Sequence, residues 1–368
     1  MTNEQLAFLH LLRVGLWGDR EQDALVAVIE KGGFSWQAVI DLAIEQASLG
    51  VMTDGMVRLP RALRPAKNFY FNVIAQTSDI EKENKKMNSF APVLMGKLKE
   101  KGIRSLLLKG QGVALCYPQP LHRMSGDIDL LISDDEQFYR GCQLMKRIST
   151  SWDWDEKSSH AEFDAMGFVV ELHGKYGFTI CPNMTKNLRT WNDKRENGFR
   201  QREGMLLPSA QFDAIFIFSH MLNHFMTGGV GLRQVSDWMM HLYAYHQDID
   251  REMLREDLEL LGLMKFWKVF AGMAVKLLAF PAEEMPFYED GGSVQERTAT
   301  RLLTAIFRTG NFGAIQKAEQ LSTDTNKWVK KVHTAFGQFP VYWRAGKLFP
   351  WESLYCFCKY AKGSILKA

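Results

Sequence analysis

The sequence has few cysteines, few prolines and little net charge, and each shortage excludes a class of protein. Its five cysteines form no CxxC pair, which excludes a zinc ribbon and a disulfide framework and predicts reduced thiols in a cytoplasmic protein. Eleven prolines, with no biased tract, exclude collagen-like, mucin-like and wholly disordered chains. The 45 basic and 42 acidic residues leave a net charge of only +3, so the whole chain is not a polycation that coats nucleic acid. Function must therefore come from local sites.

Long hydrophobic runs are also missing. A membrane-spanning helix needs roughly 20 consecutive apolar residues, whereas the best candidate, Phe266 to Phe280, contains Lys268 and Lys276. Near the N-terminus, Arg13 interrupts the apolar residues before they take the form of a signal peptide. We therefore expect a soluble cytoplasmic protein with no membrane partner.

Changes in the hydrophobic period divide the chain into three regions. Apolar residues recur at helical spacing over residues 1–98 and again over residues 208–368, which predicts two helical regions. Between them, residues 99–207 contain three short apolar runs of strand length, which end at Leu108-Lys109, Ser133 and Gly174. Helical turns are expected over Val113 to Tyr117, and a capped helix over Asp134 to Ile148. The pattern predicts an α+β fold with a small mixed sheet and helical flanks.

The C-terminal segment from Thr325 onwards is basic and aromatic. It holds eight basic residues against the single acid Glu352, and large aromatic residues are interleaved with them, among them Trp328, Tyr342, Trp343, Trp351 and Tyr355. Such a segment can dock on an acidic partner or on nucleic acid. The favoured alternative is a helical tail whose aromatic residues pack on the body while its lysines remain in water. Nucleic acid is therefore a possible partner but not a favoured one.

Two aspartates, Asp127 and Asp129, are separated by one apolar residue in the second run. Because side chains alternate across a strand, both carboxylates point to the same face. Two adjacent carboxylates repel each other unless a cation lies between them, and Mg²⁺ or Mn²⁺ is the natural occupant. Two-metal phosphoryl and nucleotidyl transfer needs this arrangement. Glu171 is the candidate third carboxylate, and Glu162 or Asp164 on a possible hairpin partner could take its place.

A glycine-containing turn, Lys109-Gly110-Gln111-Gly112, follows the first strand and precedes a helix. Backbone N–H groups and a positive helix end could receive phosphate there, with Lys109 as an added point charge. Arg123, four residues before Asp127, is spaced to bind a triphosphate through two N–H groups. The turn lacks the third small residue of a dinucleotide fingerprint, and the chain has no P-loop, so neither of those sites is supported.

These residues together resemble the uncharacterised bacterial nucleotidyltransferase family of the DNA polymerase β-like superfamily. The most specific part runs from Lys109-Gly110 through Tyr117-Pro118 to Arg123-x-x-x-Asp127-Ile-Asp129. Further similarities are the Val-Glu-Leu-His strand, His220-x-x-x-His224 and Leu232-Arg233-x-x-x-Asp237, so that the likeness covers about Leu6 to Tyr245. The superfamily's usual Gly-Ser pair is replaced here by the Lys-Gly-Gln-Gly turn, without the serine that normally helps to hold the triphosphate. The resemblance implies a polymerase β-like core with Asp127, Asp129 and Glu171 as metal ligands.

Histidines and an arginine–aspartate pair supply candidates for the substrate cleft. His220 and His224 lie four residues apart, the spacing of a zinc pair that Asp237 or His241 could complete, although the contiguous His-Asp pair of helical metal-dependent hydrolases is absent. Alternatively, the two histidines line a cleft or pack in the core. Arg233 and Asp237 share the same spacing and form a helix salt bridge or orient substrate phosphates. His160 and His173 are further candidates for substrate contact.

The combined prediction is a magnesium-dependent nucleotidyltransferase that moves a nucleoside monophosphate from a nucleoside triphosphate to an unidentified small-molecule or macromolecular acceptor. Asp127 and Asp129 would hold the metal ions, and Glu171 would bind the second metal or activate the acceptor hydroxyl. The triphosphate would lie over Gly110, Gln111 and Gly112. Two alternatives remain open: a non-catalytic scaffold that binds a nucleotide or a protein partner, and a His/Asp metal-dependent hydrolase.

Overall fold

The structure is a computed structural model of the 368-residue chain, and it describes residues 1–174, 180–195, 198–310 and 339–366. The N-terminal region is helical. Thr2 caps the first helix in a capping box with Gln5, which satisfies two N–H groups that the helix itself leaves without acceptors. The five helices are α1 (Asn3–Trp17), α2 (Gln22–Lys31), α3 (Trp36–Glu45), α4 (Leu49–Arg58) and α5 (Lys67–Glu100).

Helices α1 and α4 pack against each other at unusually close range, and glycine makes this possible. A Cβ added at Gly55 would lie 2.1 Å from the carbonyl oxygen of Leu11, and one at Gly15 would lie 2.0 Å from that of Val51. Any side chain at either position would therefore force the two helices apart. This close pair belongs to the larger hydrophobic cluster of the protein.

The central region contains a five-stranded mixed sheet. Its elements are β1 (Leu106–Leu108), α6 (Gly110–Ala114), a 3-10 turn (Pro120–His122), β2 (Ile128–Leu131), α7 (Asp135–Ile148), β3 (Ser151–Asp153), β4 (His160–Ala165) and β5 (Phe168–His173). The strand order is β1-β2-β5-β4-β3, with β2 and β5 parallel and every other pair antiparallel. The strands β1, β2 and β5 confirm the three predicted runs. Asp134 caps α7 as predicted, whereas α6 begins at Gly110, three residues earlier than expected.

A helix and a separate hairpin, which the apolar pattern did not reveal, follow the sheet. They are α8 (Pro182–Arg195), β6 (Phe199–Arg202) and β7 (Met205–Pro208). The hairpin turns at Glu203 and Gly204, which both have positive φ angles of 48° and 78°. Strand β7 backs onto α6, because a Cβ added at Gly112 would lie 2.8 Å from Leu207.

The C-terminal region is helical again, as predicted. Its helices are α9 (Ala210–Thr227), α10 (Leu232–Ala244), α11 (Arg251–Leu261), α12 (Met264–Leu278), α13 (Gly292–Thr309), α14 (Phe339–Gly346) and α15 (Pro350–Leu366). Helices α9 to α12 follow one another over residues 210–278, in agreement with the helical spacing of the apolar residues there. Across the described ranges, no helix is both long and apolar enough to cross a membrane.

Two hydrophobic clusters form the interior. The larger cluster joins the N-terminal helices to α9–α13 and also takes in Leu106, Leu108 and Leu131 from the sheet. The smaller cluster packs α7 and the second half of α5 on the sheet. The α+β class, with a small mixed sheet and helical flanks, is therefore confirmed.

Only part of the basic aromatic tail can be compared with its prediction. Lys327, Trp328, Lys330 and Lys331 lie outside the described residues, as does Lys367. Of the described aromatic residues, Tyr342 is buried, whereas Trp343 and Trp351 are 61% and 77% exposed. The expectation that the aromatic residues of this segment pack on the body is thus met by Tyr342 and not by the two tryptophans.

Candidate active site

Three carboxylates meet where β2 and β5 lie side by side. The parallel register sets Asp129 opposite Glu171, and Asp127 immediately precedes β2. Because alternate residues share one face of a strand, Asp127 and Asp129 both turn toward Glu171. One oxygen from each of the three carboxylates lies within 4.8 Å of the others. The side chain of Asp129 is fully buried, while those of Asp127 and Glu171 are 34% and 21% exposed.

Lys109 lies against these carboxylates. Its backbone has a positive φ of 40° at the junction of β1 and α6. Its ammonium Nζ is 2.9 Å from Asp129 Oδ1 and 3.7 Å from Asp127 Oδ2. Burial lowers the pKa of Lys109, but Asp129, Asp127 and Glu171 raise it by more, so the net pKa is raised and the ammonium keeps its charge. The lysine predicted as a phosphate contact is therefore a counter-ion of the acidic cluster in this structure.

Two histidines border the same cluster. His173 Nε2 donates to Asp129 Oδ1 at 3.0 Å and lies 3.3 Å from Glu171 Oε2. Burial lowers the pKa of His173, but these two carboxylates raise it by more, to about 9. His160, from the neighbouring strand β4, donates from Nε2 to Glu171 Oε2 at 3.2 Å, and its side chain is half exposed. Both predicted cleft histidines thus contact the acidic cluster.

The two carboxylates considered as substitutes for Glu171 lie outside the cluster. Glu162 lies opposite Glu171 in the β4–β5 register. It belongs to no group of side chains in the described ranges whose ligand atoms are close enough together to bind one metal ion. Asp164 is farther along β4 and is hydrogen-bonded by Ser151. Glu171 is therefore the carboxylate that the sheet brings to Asp127 and Asp129.

His220 and His224 form a neutral pair next to Lys109. Their Nε2 atoms are 2.9 Å apart, and Lys109 Nζ donates to His220 Nε2 at 3.1 Å. His224 must then carry the proton on its Nε2, since His220 Nε2 accepts. Burial lowers the pKa of His220 well below its usual value and that of His224 to about 4, and the charge of Lys109 adds to both shifts. Both histidine side chains line the pocket, in agreement with the predicted alternative in which they line a cleft.

The third ligands needed for a zinc site at this pair are bound elsewhere. Asp237 is held by Tyr117 and Arg123, and His241 Nε2 donates to the carbonyl of Ala210 at 2.9 Å. Neither His220 nor His224 belongs to a group of three metal-binding side chains in the described part of the chain. The zinc arrangement that the spacing allowed is therefore wrong.

Arg123 forms a buried ion pair with Asp237 and does not have its N–H groups free for the predicted contact with phosphate. Its Nε and Nη2 donate to the two oxygens of Asp237, each at 2.7 Å, and the Tyr117 hydroxyl donates to the same carboxylate at 2.7 Å. The side chains of Arg123 and Asp237 are only 4% and 5% exposed. Because Asp237 takes both parallel N–H groups of Arg123, the predicted Arg233–Asp237 helix salt bridge is not formed either.

The glycine-containing turn faces the site only in part. Gly110 lines the pocket, and no side chain caps the helix that begins there. Gln111 turns away and donates from Nε2 to the sulfur of Met87 on α5. Gly112 contacts Leu207 of β7. The prediction that all three residues bind the nucleotide is therefore corrected to Gly110 alone, because the short helix sends the next two into the interior.

A pocket of about 590 Å³ opens over the acidic cluster, within the range of small-molecule sites. Its walls include ten of the predicted site residues: Lys109, Gly110, Arg123, Asp127, His160, Glu171, His173, His220, His224 and Arg233. Asp237 also reaches it, while Asp129 lies buried beneath.

Comparison with known proteins identifies the group to which this fold belongs. The family model described as an uncharacterised nucleotidyltransferase matches residues 32–279. The chain belongs to this family. The matched range runs from just before α3 to the end of α12 and so contains every residue of the pocket. No curated protein and no solved structure matches the chain.

The donor set of the nucleotidyltransferase pocket fits a divalent cation. Asp129 Oδ2 is buried and has no hydrogen-bond partner among the residues that the structure describes, which is costly for a carboxylate oxygen. Burial raises the pKa of Asp129, and the neighbouring Asp127 raises it further, which is the effect a cation would reverse. Oxygen ligands from three carboxylates suit Mg²⁺ or Mn²⁺. Asp127, Asp129 and Glu171 can therefore hold a metal ion, provided that Lys109 withdraws from Asp129.

Some lining residues of the nucleotidyltransferase pocket were missed by sequence reasoning. Met124, Ser125 and Gly126 form the loop that leads into Asp127, and Ile44 and Ala47 reach in from the N-terminal helices. The loop could have been found, because small residues directly before a metal-binding strand indicate close approach to a ligand. Nothing in the local pattern distinguishes Ile44 and Ala47 from ordinary core residues.

Proposed function

We propose that this nucleotidyltransferase-family protein transfers a nucleoside monophosphate from a nucleoside triphosphate to an acceptor hydroxyl or other nucleophile, with Mg²⁺ or Mn²⁺ as cofactor and a polymerase β-like core. One observation carries the proposal. Asp127, Asp129 and Glu171 converge on a single metal-sized space, and the buried Asp129 Oδ2 has no partner within the described residues. Lys109 and His173 bring two positive charges to three carboxylates, and a divalent cation would neutralise the negative charge that remains.

The three carboxylates have different roles in this proposal. Asp127 and Asp129 hold the cation from one strand, and Glu171 holds it from the next. When bound, the metal neutralises the charge that develops on the phosphoryl oxygens. Burial raises the pKa of Glu171, but hydrogen bonds from His160 and His173 lower it by more, so this carboxylate is ionised throughout the neutral range. A strongly lowered pKa suits a metal ligand better than a base.

The transfer itself is a displacement at phosphorus. The acceptor oxygen bonds to the α-phosphorus while the bond from that phosphorus to the departing pyrophosphate breaks, and the hydroxyl proton passes to water, because the lowered pKa of Glu171 makes this carboxylate a poor base. Gly110 and Lys109 lie next to the carboxylates and are proposed to approach the phosphates once Lys109 leaves Asp129. Positioning and charge neutralisation supply most of the catalysis in such reactions.

The division of the chain near residues 98 and 207, the cytoplasmic location and the roles of the individual site residues stay predictions. All five cysteines are unpaired in the structure, in line with the expected reduced thiols. The described residues offer the acceptor a pocket with both polar and apolar walls, which suits a small molecule.

A non-catalytic scaffold is a second candidate, and the contacts of Lys109 favour it. The ammonium group and His173 already satisfy Asp129 Oδ1 without any metal. A protein that had lost catalysis could keep its carboxylates neutralised in this way while binding a nucleotide or a protein partner. Metal dependence separates the two candidates.

The experiment is a thermal-shift panel with each nucleoside triphosphate, with and without Mg²⁺, on the wild type and on Asp129→Ala. A ligand present at 100 times its dissociation constant adds about 2.7 kcal/mol of stability. We expect stabilisation that requires both metal and nucleotide and disappears in Asp129→Ala. Asp153→Asn, an exposed aspartate on β3 of the same sheet, is the matched control and should respond as the wild type does.

Candidate acceptors are then tested by release of pyrophosphate from the nucleotide that stabilises the protein. A folded Asp129→Ala protein that still transfers the nucleotide would refute the metal role of the site. Nucleotide binding that ignores Mg²⁺ and survives in Asp129→Ala would favour the scaffold.

A further inference from the structure

Arg233 stands at a junction of three parts of the pocket. Its backbone N–H donates to the carbonyl of Gln46, at the end of α3, at 3.2 Å. Its side-chain Nη1 donates to the carbonyl of Met124 at 3.0 Å, in the loop that leads into the metal-binding strand. The same Nη1 lies 3.9 Å from the position a Cβ would take at Gly126, the residue before Asp127. The guanidinium is therefore fixed beside the first carboxylate of the site.

This guanidinium forms no salt bridge with any carboxylate in the described part of the chain, although the charges of Asp237 and Asp127 act on it from farther away. Asp237, one helical turn away, is the carboxylate expected to pair with it. Both oxygens of Asp237 are instead occupied by Arg123 and Tyr117. The only hydrogen-bond acceptor that the described residues offer the Arg233 side chain is a neutral carbonyl, and its buried Nε has no acceptor.

Burying the Arg233 guanidinium without a salt bridge destabilises the folded protein. Desolvating a guanidinium without a carboxylate partner costs free energy that one bond to a carbonyl does not recover. Burial lowers the pKa of Arg233 and the charge of nearby Arg123 lowers it further, by more than Asp237 and Asp127 raise it, so the net pKa is lowered. Arginine presents its N–H groups in a planar fork that matches phosphate and carboxylate oxygens. An anionic ligand in the pocket would supply the missing partner.

We infer that Arg233, and not Arg123, is the anion receptor of this pocket, and that it binds a phosphate or carboxylate group of a substrate. Arg123 and Asp237 are positioning residues, because their mutual ion pair leaves Arg233 without a carboxylate. The anion is either the phosphate chain of the donor nucleotide or an acidic group of the acceptor. The inference rests on the proposed function for the identity of the substrates, but the anion site itself does not require transfer to occur.

The test measures binding of inorganic tripolyphosphate and inorganic phosphate, without metal, by thermal shift and calorimetry. We expect saturable binding to the wild type and binding about 10- to 100-fold weaker to Arg233→Gln, the range for lost hydrogen bonds to a charged group. Arg140→Gln is the matched control, because this exposed arginine of α7 also donates to a backbone carbonyl, that of Lys101. It should bind both anions as the wild type does.

A purely structural role for Arg233 gives the opposite pattern. If Arg233 served only to donate a hydrogen bond to the Met124 carbonyl, Arg233→Gln would lower the melting temperature of the ligand-free protein. The thermal shift caused by phosphate would then stay unchanged. The inference predicts a ligand-free melting temperature equal to or above that of the wild type. Should Arg233→Gln not fold, Arg233→Lys keeps the charge but loses the fork, and it should still bind tripolyphosphate several-fold more weakly.

Two further arms identify the source of the anion. If saturating nucleoside triphosphate with Mg²⁺ abolishes the stabilisation that inorganic phosphate gives, Arg233 receives the donor nucleotide. If the stabilisation by phosphate adds to the stabilisation by the nucleotide, Arg233 receives the acceptor. Equal phosphate binding by the wild type and both Arg233 variants would overturn the inference. If metal-dependent nucleotide binding is in that case still lost in Asp129→Ala, the proposed function stands without the anion site. Arg233-dependent phosphate binding without any nucleotide response would do the reverse.

Discussion

Asp237 determines the state of both arginines of the pocket. Its carboxylate accepts hydrogen bonds from Arg123 Nε, Arg123 Nη2 and the Tyr117 hydroxyl, and all three groups are buried. Burial lowers the pKa of Arg123, but Asp237 raises it by more, so that the guanidinium keeps its charge. Removal of the carboxylate would leave a buried cation without a partner.

We therefore expect Asp237→Asn to lower the free energy of unfolding by about 3–5 kcal/mol, the cost of breaking a buried ion pair. Tyr117→Phe removes one neutral donor and should cost about 1 kcal/mol. Urea unfolding measures both changes, with the exposed Asp248→Asn as a control that should leave stability unchanged. An Asp237→Asn protein that is more stable than Tyr117→Phe would contradict this account of the network.

The same residues show where sequence reasoning stops. The Asp-x-Asp spacing was enough to place Asp127 and Asp129 on one face, because alternation is a local property of a strand. The spacing of Arg233 and Asp237 was equally local, yet it predicted the wrong partner. Arg123 lies more than 100 residues from Asp237 in the sequence, and only the fold brings the two together. It binds Asp237 through two parallel N–H groups, whereas Arg233 on the same helix forms no such bond.

At the scale of elements, one histidine joins two N-terminal helices to the turn before β2. His122, in the 3-10 turn, bonds through Nδ1 to Asp54 of α4 at 2.7 Å and through Nε2 to Glu81 of α5 at 2.9 Å. Hydrogen bonds to Asp54 and Glu81 raise its pKa against the effect of burial. Because both ring nitrogens face carboxylates, the ring must carry both protons to satisfy them.

This arrangement makes the stability of the junction depend on pH. A group whose folded pKa is raised contributes stability that is fully present below its unfolded pKa, roughly 6.5, and lost as the pH rises through its folded pKa. We expect the wild type to exceed His122→Gln in unfolding free energy by about 1 kcal/mol at pH 6. The difference should shrink as the pH is raised toward 9, as measured by urea unfolding at each pH.

Lys82→Gln provides the control for that series. It removes an exposed charge from the same helix α5, and its pairing with Asp79 raises the lysine pKa further above the tested range. Its effect on stability should be the same at pH 6 and pH 9. A His122→Gln difference that did not change with pH would show that the ring is not held by its charge.

The elements themselves could be predicted to different extents. Strands β1, β2 and β5 are marked by apolar runs that end at glycine or polar residues. The register that sets Asp129 beside Glu171 could not be predicted, because strand pairing depends on the parallel crossover through α7 and the intervening hairpin. The β6–β7 hairpin could not be recognised because three of the four residues in its first strand, Phe199–Arg202, are polar and most of the strand is exposed.

At the scale of the whole molecule, the two helical regions share one core. Trp17 of α1 donates its indole N–H to the carbonyl of Leu278, at the end of α12, at 2.6 Å, and its ring packs edge-on against Tyr243 and Phe280. Gln46 accepts a hydrogen bond from the first backbone N–H of α10 through its side chain. The sequence predicted both helical regions but not this union, because helical periodicity shows that a face is buried and not what covers it.

The shared core predicts that the helical flanks and the sheet unfold together. Scanning calorimetry should show one transition, with equal calorimetric and van't Hoff enthalpies. Trp17→Ala should lower the midpoint of that single transition, at a cost of about 3–5 kcal/mol, because it opens a cavity where the two regions meet. Trp351→Ala is the control, since this tryptophan is 77% exposed and its loss should change stability by less than about 0.5 kcal/mol.

If Trp17→Ala instead split the transition in two, with the N-terminal helices melting first, the regions would be independent domains. The pocket, which takes Ile44 from one region and Ile217 from the other, would then close only when they dock.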